Sequence, residues 1–142
     1  MNNLDMLKLE NQLCFPLYAC AKEIVRRYTP LLEPLGLTYT QYIAMMVLWE
    51  HKNISVKDMG ELLYLDSGTL TPMLKKMEKA GWITRKRDEK DERSVIISLS
   101  DSGIKLKEKA VEVPTKMIQC INLEQSDAMQ LYNLLNKLIK TF

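Results

Sequence analysis

The sequence predicts a mainly α-helical fold with one small β-hairpin, and three observations support this prediction. Up to residue 81, apolar residues recur at helical spacing and follow recognisable helix-start signals. Two short runs with strand character, 82–87 and 94–99, then flank a fully polar turn. Beyond residue 100 the helical spacing returns and continues to the end of the chain.

Length and composition favour one folded domain. The chain has 142 residues, of which 46% are hydrophobic and 27% charged, which is typical of a globular protein. The start, MNNLDMLKLENQL, lacks the pattern of a secretion signal, and no apolar run approaches the ~18 residues of a membrane span. We therefore expect a cytoplasmic protein with reduced thiols and no membrane partner.

Two helices are predicted before residue 50. The first begins near Cys14 or Phe15 and continues into the region 28–35, with Pro16 in its first turn, where a missing N–H costs nothing. The second follows a capping box, Thr38-Tyr-Thr-Gln41, and carries the apolar stretch 42–49.

Two shorter helices follow. Ser55-Val-Lys-Asp58 is a weaker start signal, and Asp66-Ser-Gly-Thr is a third one. The helix after Asp66 has apolar residues at i, i+3, i+4 and i+7 and should end at Gly81, a natural residue just past a helix end. Pro72 is expected within its opening turns.

The hairpin and the C-terminal helices complete the order. The turn of the hairpin is 88–93, and the next helix is predicted from Asp101 to Cys120, with a kink at Pro114. The last helix starts at Asn122 or Leu123 and carries a broad apolar stripe: Leu131, Leu134, Leu135, Leu138 and Ile139.

This order of elements predicts a winged helix-turn-helix within a single domain, 1–142. The DNA-binding module should span 38–100. The helical segments 1–37 and 101–142 carry apolar faces that this module is too small to cover. A second copy of the chain is the simplest cover, so we expect them to act as dimerisation helices in a symmetric homodimer.

The distribution of charge indicates a polyanionic partner. The net charge is only +2, but the segment from Lys75 to Arg87 holds six bases and one acid, a local charge of +5. A basic helix next to a basic hairpin favours double-stranded DNA. For the basic run taken alone, a solvated charged surface is the more frequent explanation.

The predicted DNA contacts fall into two groups. Small and hydroxyl side chains can approach a groove floor from the helix start, and lysines further along suit phosphates: Ser67, Gly68, Thr69, Thr71, Lys75 and Lys76. The hairpin supplies a narrow projection suited to the minor groove, with Arg85, Lys86, Arg87, Asp91 and Arg93.

The three cysteines need separate treatment. Cys14 lies at a helix start, where the helix dipole stabilises a thiolate, and the residues alone leave a reactive and an inert packed thiol about equally supported. Cys20 lies ~9 Å further along the helix axis, too far for a disulfide with Cys14, and is expected to be a small core residue. Cys120 is either core or reactive. The cysteine spacing and the lone His51 predict no metal site, and we expect no cofactor.

The stretch DSGTLTPMLKKMEKAGWITRKRDEKDERSVIISLS resembles the recognition helix and wing of the MarR family. The family's wing pattern appears as Asp91-Glu-Arg93, five residues, and Leu99-Ser100, where serine replaces the usual threonine. LENQLCFPLYA further resembles the N-terminus of the OhrR subgroup, the organic-hydroperoxide-sensing repressors.

The resemblance implies a mechanism. Cys14 would be the residue that the peroxide oxidises, with hydrogen bonds from Tyr28 and Tyr39 of the partner subunit and Tyr18 as a nearby third tyrosine. Reduced protein would hold its operator, and oxidation would release it. Cys120 would be a resolving thiol that pairs across the dimer, and condensation with a low-molecular-weight thiol is the alternative route.

We therefore expect a transcriptional regulator, a repressor that senses organic hydroperoxides, and not an enzyme. A broader oxidative-stress or virulence regulator, or one that responds to a phenolic ligand, is the alternative within this class. A thiol peroxidase is the alternative of another class, and it would leave the basic segment unexplained.

Overall fold

The computed structural model describes residues 2–142. The helices are α1 (Cys14–Leu32), α2 (Tyr39–His51), α3 (Val56–Leu63), α4 (Ser67–Lys79), α5 (Asp101–Ala110), α6 (Val113–Cys120) and α7 (Gln125–Ile139). The strands are β1 (Asn53–Ser55), β2 (Ile83–Arg87) and β3 (Val95–Leu99). The fold is a winged helix-turn-helix, as predicted.

The predicted helix starts are confirmed by their hydrogen bonds. In the capping box before α2, the Gln41 N–H donates to Thr38 Oγ1 at 3.3 Å, and the Thr38 N–H donates to Gln41 Oε1 at 3.0 Å. Ser55, Asp66 and Ser100 cap α3, α4 and α5 in the same way. Each cap accepts a hydrogen bond from an N–H that the helix itself leaves without a partner.

The wing belongs to a sheet of three strands in the order β1-β3-β2, all antiparallel. The sequence prediction missed β1. This strand has three residues, too few to show alternation, and its partner β3 lies more than forty residues further along the chain. Pairing with β1 places Ile54 opposite Ile97 and joins the wing to the end of α2.

The core lies within the winged helix-turn-helix and extends to the end of α1. Its fully buried side chains come from helices and strands alike: Leu32, Met45, Leu48, Met59, Leu70, Leu74, Met77, Ile83 and Ile97. In α4, the apolar positions that predicted the helix are the ones that face this core. The opposite face of α4 is therefore left to solvent or to a partner.

Of the two proline predictions for these helices, the one for Pro114 is wrong. The helix predicted from Asp101 to Cys120 is not one kinked helix, because the chain forms α5 and α6 as separate helices, with Pro114 in the first turn of α6. A proline is tolerated there since its missing N–H would have no helical partner. Pro72 is the sixth residue of α4 and lies within its first two turns, as predicted, where it removes the hydrogen bond that the carbonyl of Gly68 would otherwise accept.

The terminal helices leave large apolar side chains exposed. None of the residues in α7 is buried, and Leu32 is the one buried residue of α1. The exposed apolar side chains of α7 include Met129, Leu131, Tyr132, Leu134, Leu135 and Leu138. In the part of the chain from residue 2 onward, no helix has the length and apolar character needed to cross a membrane.

Candidate functional site

The exposed face of α4 presents the predicted DNA contacts. Asp66 Oδ1 accepts a hydrogen bond from the Thr69 N–H at 2.7 Å and thereby starts the helix. Ser67, Gly68 and Thr69 are exposed in the first turn, and Thr71 is half-buried. The lysines Lys75, Lys76 and Lys79 are exposed along the rest of the helix. Hydroxyl groups thus lie at the helix start and cations behind them, an arrangement suited to a groove flanked by phosphates.

Hydrogen bonds of the wing shape its tip. Asp91 Oδ1 accepts from the Arg93 N–H at 3.1 Å, and the carbonyl of Asp91 accepts from the Ser94 N–H at 2.9 Å. The Arg87 guanidinium donates to the carbonyl of Glu92 at 2.7 Å. Asp91 therefore holds the turn that carries Arg93, whose side chain is exposed at the tip.

A cleft of about 710 Å³ separates the start of α4 from the wing. Its walls include Tyr64 and Ser67 on the helix-turn-helix side and Arg85, Arg93 and Ser94 on the wing side. Arg85 differs from the other basic residues of the wing because it is half-buried and bonded to Glu78 of α4.

The thiol of Cys14 begins α1 and is exposed, as are the thiols of Cys20 and Cys120. The prediction that Cys20 is a core residue is wrong for the single chain. Helix α1 extends away from the core over most of its length, so a small side chain in its first half meets no neighbouring element.

A cluster of tyrosines lies where α1 meets α2. The ring centroids of Tyr28 and Tyr39 are 4.8 Å apart, and those of Tyr28 and Tyr42 are 5.7 Å apart. Burial, followed by the neighbouring Tyr39 and Tyr42, raises the pKa of Tyr28 above 10.0, and burial likewise raises the pKa of Tyr42. Both phenols therefore keep their protons, and their ability to donate hydrogen bonds, at neutral pH.

Tyr42 is a member of this cluster that the sequence analysis treated only as part of an apolar stretch. Its side chain is 3% exposed, and its ring also contacts Trp49 at a centroid distance of 6.4 Å. The spacing of Tyr39 and Tyr42, three residues apart in a helix, was the available signal, because such residues share one face. Tyr18, by contrast, lies outside the cluster on the exposed first half of α1.

The Cys14 thiol and the tyrosine cluster are far apart within one chain. Cys14 and Tyr28 belong to the same helix and are fourteen residues apart, which corresponds to ~21 Å of helical rise. Among residues 2–142, no group of three or more His, Cys, Asp or Glu side chains is placed to hold a metal ion.

A tight joint connects α2, α5 and the turn between α4 and β2. The Trp49 indole N–H donates to the carbonyl of Gly103 at 3.0 Å, and the Ser100 N–H donates to the carbonyl of Trp82 at 3.0 Å. Gly103 packs so closely on Trp82 that an added Cβ would lie 2.1 Å from the Trp82 carbonyl oxygen. The sequence analysis did not identify this joint, because its members are distant along the chain.

Comparison with known proteins identifies relatives over the whole chain. Residues 26–110 match the family described as transcriptional regulator SarA/Rot. The chain is 55% identical to the organic hydroperoxide resistance transcriptional regulator of Bacillus subtilis (strain 168), over 99% of this chain and 95% of that protein. These relatives are transcriptional regulators and not enzymes, which removes the support for a thiol peroxidase.

Solved structures give the same result. Reduced AbfR bound to DNA, from Staphylococcus epidermidis, is 34% identical with a TM-score of 0.84, covering 99% of this chain and 96% of that chain. Disulfide-formed AbfR is also 34% identical, with 96% of each chain covered, and has a TM-score of 0.68.

A more distant structure agrees in fold alone. A mutant of MarR from E. coli, complexed with operator DNA, is 24% identical over 89% of this chain and 92% of that chain, with a TM-score of 0.82. The matched family region, the full-length relative and the winged helix-turn-helix architecture lead to one conclusion: this chain belongs to the MarR-type transcriptional regulators of the SarA/Rot family.

Proposed function

We propose that this protein is a cytoplasmic, homodimeric repressor that senses organic hydroperoxides through Cys14 and releases operator DNA when this thiol is oxidised. The observation that carries the proposal is the position of Cys14, exposed at the first residue of α1 in a chain 55% identical to an organic hydroperoxide resistance regulator. The thiolate is the form of a cysteine that attacks a peroxide, and an exposed side chain is open to that reagent.

The proposed dimer forms through the terminal segments 1–37 and 101–142. Their exposed apolar side chains support this assignment, since a soluble chain rarely leaves so many uncovered. The distance along α1 supports it independently. Tyr28 and Tyr39 are too far from the Cys14 of their own chain to bond it, so their hydrogen bonds would go to the Cys14 of a second copy.

The proposed DNA interface is the module 38–100. Helix α4 would enter the major groove and the wing the neighbouring minor groove, with the phosphates of the intervening strand along the cleft between them. The predicted contacts are retained for the exposed residues: Ser67, Gly68, Thr69, Lys75, Lys76, Lys86, Arg87 and Arg93. Thr71 faces the cleft, and Asp91 would act by holding the turn of the wing.

The proposed chemistry begins with attack of the Cys14 thiolate on the terminal oxygen of the hydroperoxide. The S–O bond forms while the O–O bond breaks, and the alkoxide leaves and takes up a proton to become an alcohol. Sulfur is oxidised to the sulfenic acid and the peroxide is reduced. The phenols of Tyr28 and Tyr39 would donate to the thiolate and would not bond the product in the same way.

The sulfenic acid has two proposed fates. A second thiol attacks its sulfur, a disulfide forms, and the hydroxyl group leaves as water. In a two-cysteine route, the attacking thiol would be Cys120 of the partner subunit. In a one-cysteine route, it would be a low-molecular-weight thiol. Either product would repack the junction of terminal helices and change the separation of the two α4 helices, which must match half-sites ~34 Å apart.

Solved AbfR structures include a reduced form and an overoxidized form bound to DNA and a disulfide form, so a relative of this chain is known in several redox states. This chain is more similar in shape to the reduced, DNA-bound form than to the disulfide form, at nearly equal sequence coverage.

A gel-shift titration tests the proposal, with an operator sequence that the reduced protein selects from random double-stranded DNA as the probe. Cumene hydroperoxide should abolish the shift of the wild type and leave the shift of Cys14→Ser unchanged. Cys20→Ser is the matched control, because Cys20 is an exposed thiol of the same helix, and it should respond like the wild type. Release of DNA from oxidised Cys14→Ser would show that Cys14 is not the sensor.

A further inference from the structure

Glu78 is the one acid in the segment Lys75–Arg87, and both of its carboxylate oxygens accept hydrogen bonds from a single residue of the wing. Its Oε1 accepts hydrogen bonds from the Arg85 guanidinium at 3.1 Å (Nη2) and 3.3 Å (Nε), and its Oε2 accepts from the Arg85 backbone N–H at 3.2 Å. The two guanidinium bonds are charge-assisted, and together with the backbone bond they fix Arg85 in direction as well as distance.

The strand pattern explains why Arg85 makes this contact and its neighbour does not. Side chains alternate along β2, so Arg85 shares the face of Ile83, which is 2% exposed and part of the core. This face is turned toward α4. Lys86 lies on the opposite face and is exposed.

We propose that Arg85 is a positioning residue for DNA recognition and not a phosphate contact. Bonded to Glu78, it sets the angle between α4 and the wing. The inference rests on the proposed DNA binding, and it reassigns one residue of the basic set. Lysines of α4, together with Lys86 and Arg87, then carry the local charge of +5, since Arg85 and Glu78 neutralise each other.

The short connection between α4 and β2 fixes the two elements at one point. Only Ala80, Gly81 and Trp82 separate the two elements, and Gly81 adopts a left-handed φ of 86°. The Ser100 hydroxyl donates to the carbonyl of Gly81 and the Ser100 N–H donates to the carbonyl of Trp82, so this turn is held to the start of α5. Two elements that must enter neighbouring grooves together require a fixed angle between them. The Glu78–Arg85 contact provides a second point of attachment beyond the turn, and two points define the angle.

The salt dependence of operator binding separates a positioning role from a phosphate contact. Each phosphate contact contributes about 0.9 to the slope of log K against log salt concentration. Arg85→Ala should lower operator affinity at least tenfold and leave this slope unchanged. The matched variant Lys86→Ala should lower the slope by about 1.8, because each subunit of the proposed homodimer loses one phosphate contact. Arg85→Ala should also lower the ratio of operator affinity to nonspecific DNA affinity. Loss of a phosphate contact would leave this ratio nearly constant, because both kinds of binding use phosphates.

A loss of slope in Arg85→Ala equal to that of Lys86→Ala would overturn the inference. A nuclear magnetic resonance measurement on the free protein checks the Glu78–Arg85 contact without DNA. The Arg85 Nε–H should give a sharp signal protected from solvent exchange, and Glu78→Ala should remove that protection while the thermal transition confirms folding. An unprotected signal in the wild type would also contradict this contact. If the wild type does not bind an operator, the proposed function is refuted. The signal of the free protein still tests the Glu78–Arg85 contact in that case, because it is measured without DNA.

Discussion

The guanidinium of Arg27 donates a hydrogen bond to the main-chain oxygen of Cys120 at 2.5 Å, and this contact ties the end of α6 to the second half of α1. Cys14 lies at the opposite end of α1, thirteen residues before Arg27, which corresponds to ~20 Å of helical rise. A disulfide requires Cα atoms no more than ~7 Å apart. The arrangement of the chain therefore disfavours a Cys14–Cys120 bond within one protomer.

Oxidation should consequently cross-link two chains if Cys120 is the resolving thiol. Treatment with one equivalent of cumene hydroperoxide should give a dimer band on a non-reducing gel, and reductant should remove it. Cys120→Ser should give no such band, and Cys20→Ser should give the same band as the wild type. An oxidised wild type that stays monomeric on the gel, with a mass increase from an added small thiol, would favour the one-cysteine route.

The tyrosine pair should accelerate oxidation of Cys14. Tyr28→Phe and Tyr39→Phe each remove a phenol that is proposed to donate to the thiolate of the other chain, and a hydrogen bond to a charged group contributes about 1.5–3 kcal/mol. Oxidation measured by intact mass after substoichiometric peroxide should slow by about tenfold in each variant. Tyr18→Phe is the control outside the cluster and should have a smaller effect. Equal rates in all three variants would contradict this role of the pair.

Stability should fall at alkaline pH because the pKa values of Tyr28 and Tyr42 are raised by burial. As pH rises past 10.0, the unfolded chain releases these protons before the folded chain does, so the free energy of unfolding decreases. Urea denaturation between about pH 8 and about pH 11 measures the decrease. Tyr42→Phe should make the decrease smaller, and a steeper decrease in this variant would contradict the assignment.

Gly103→Ala should destabilise the joint between α5 and the turn that follows α4. An added Cβ would lie 2.1 Å from the Trp82 carbonyl oxygen and 2.9 Å from Leu99 Cδ2, so the backbone must shift. Overpacking of this kind costs about 1–3 kcal/mol, which a thermal unfolding curve detects.

Gly68→Ala is the matched control for that substitution. Gly68 is exposed in α4, and an added Cβ would meet only Asp66 Oδ1, at 3.2 Å, so the capping carboxylate would need to shift by only a few tenths of an ångström. The midpoint of the thermal unfolding curve of Gly68→Ala should be unchanged or slightly higher than that of the wild type, since alanine favours helix. The operator affinity of this variant should fall. A thermal unfolding midpoint for Gly103→Ala as high as that of Gly68→Ala would contradict the role of the joint.

Features that depend on neighbouring residues could be predicted from the sequence. The capping box at Thr38, the caps at Asp66 and Ser100, and the end of α4 before Gly81 all involve groups within a few residues of each other. Their signals are local because a helix start uses the side chain and the backbone N–H of the same turn. The period of the apolar residues likewise determined which face of α4 is buried.

Features that join distant segments were decided only by the tertiary structure. Strand β1, the contact of Trp49 with Gly103 and the approach of Arg27 to Cys120 all depend on how helices pack, which no local pattern records. The exposure of Cys20 has the same origin, because a residue in an amphipathic helix is buried only where another element covers it.

By itself, the sequence determined the winged helix-turn-helix, the basic segment and the position of Cys14 at a helix start, because periodicity, charge and capping act over one or two turns. The tertiary structure alone decided which basic side chains are free to meet a partner. Arg85 and Lys86 are adjacent in the chain and equal in charge, but the alternation of β2 directs one toward Glu78 and the other toward solvent.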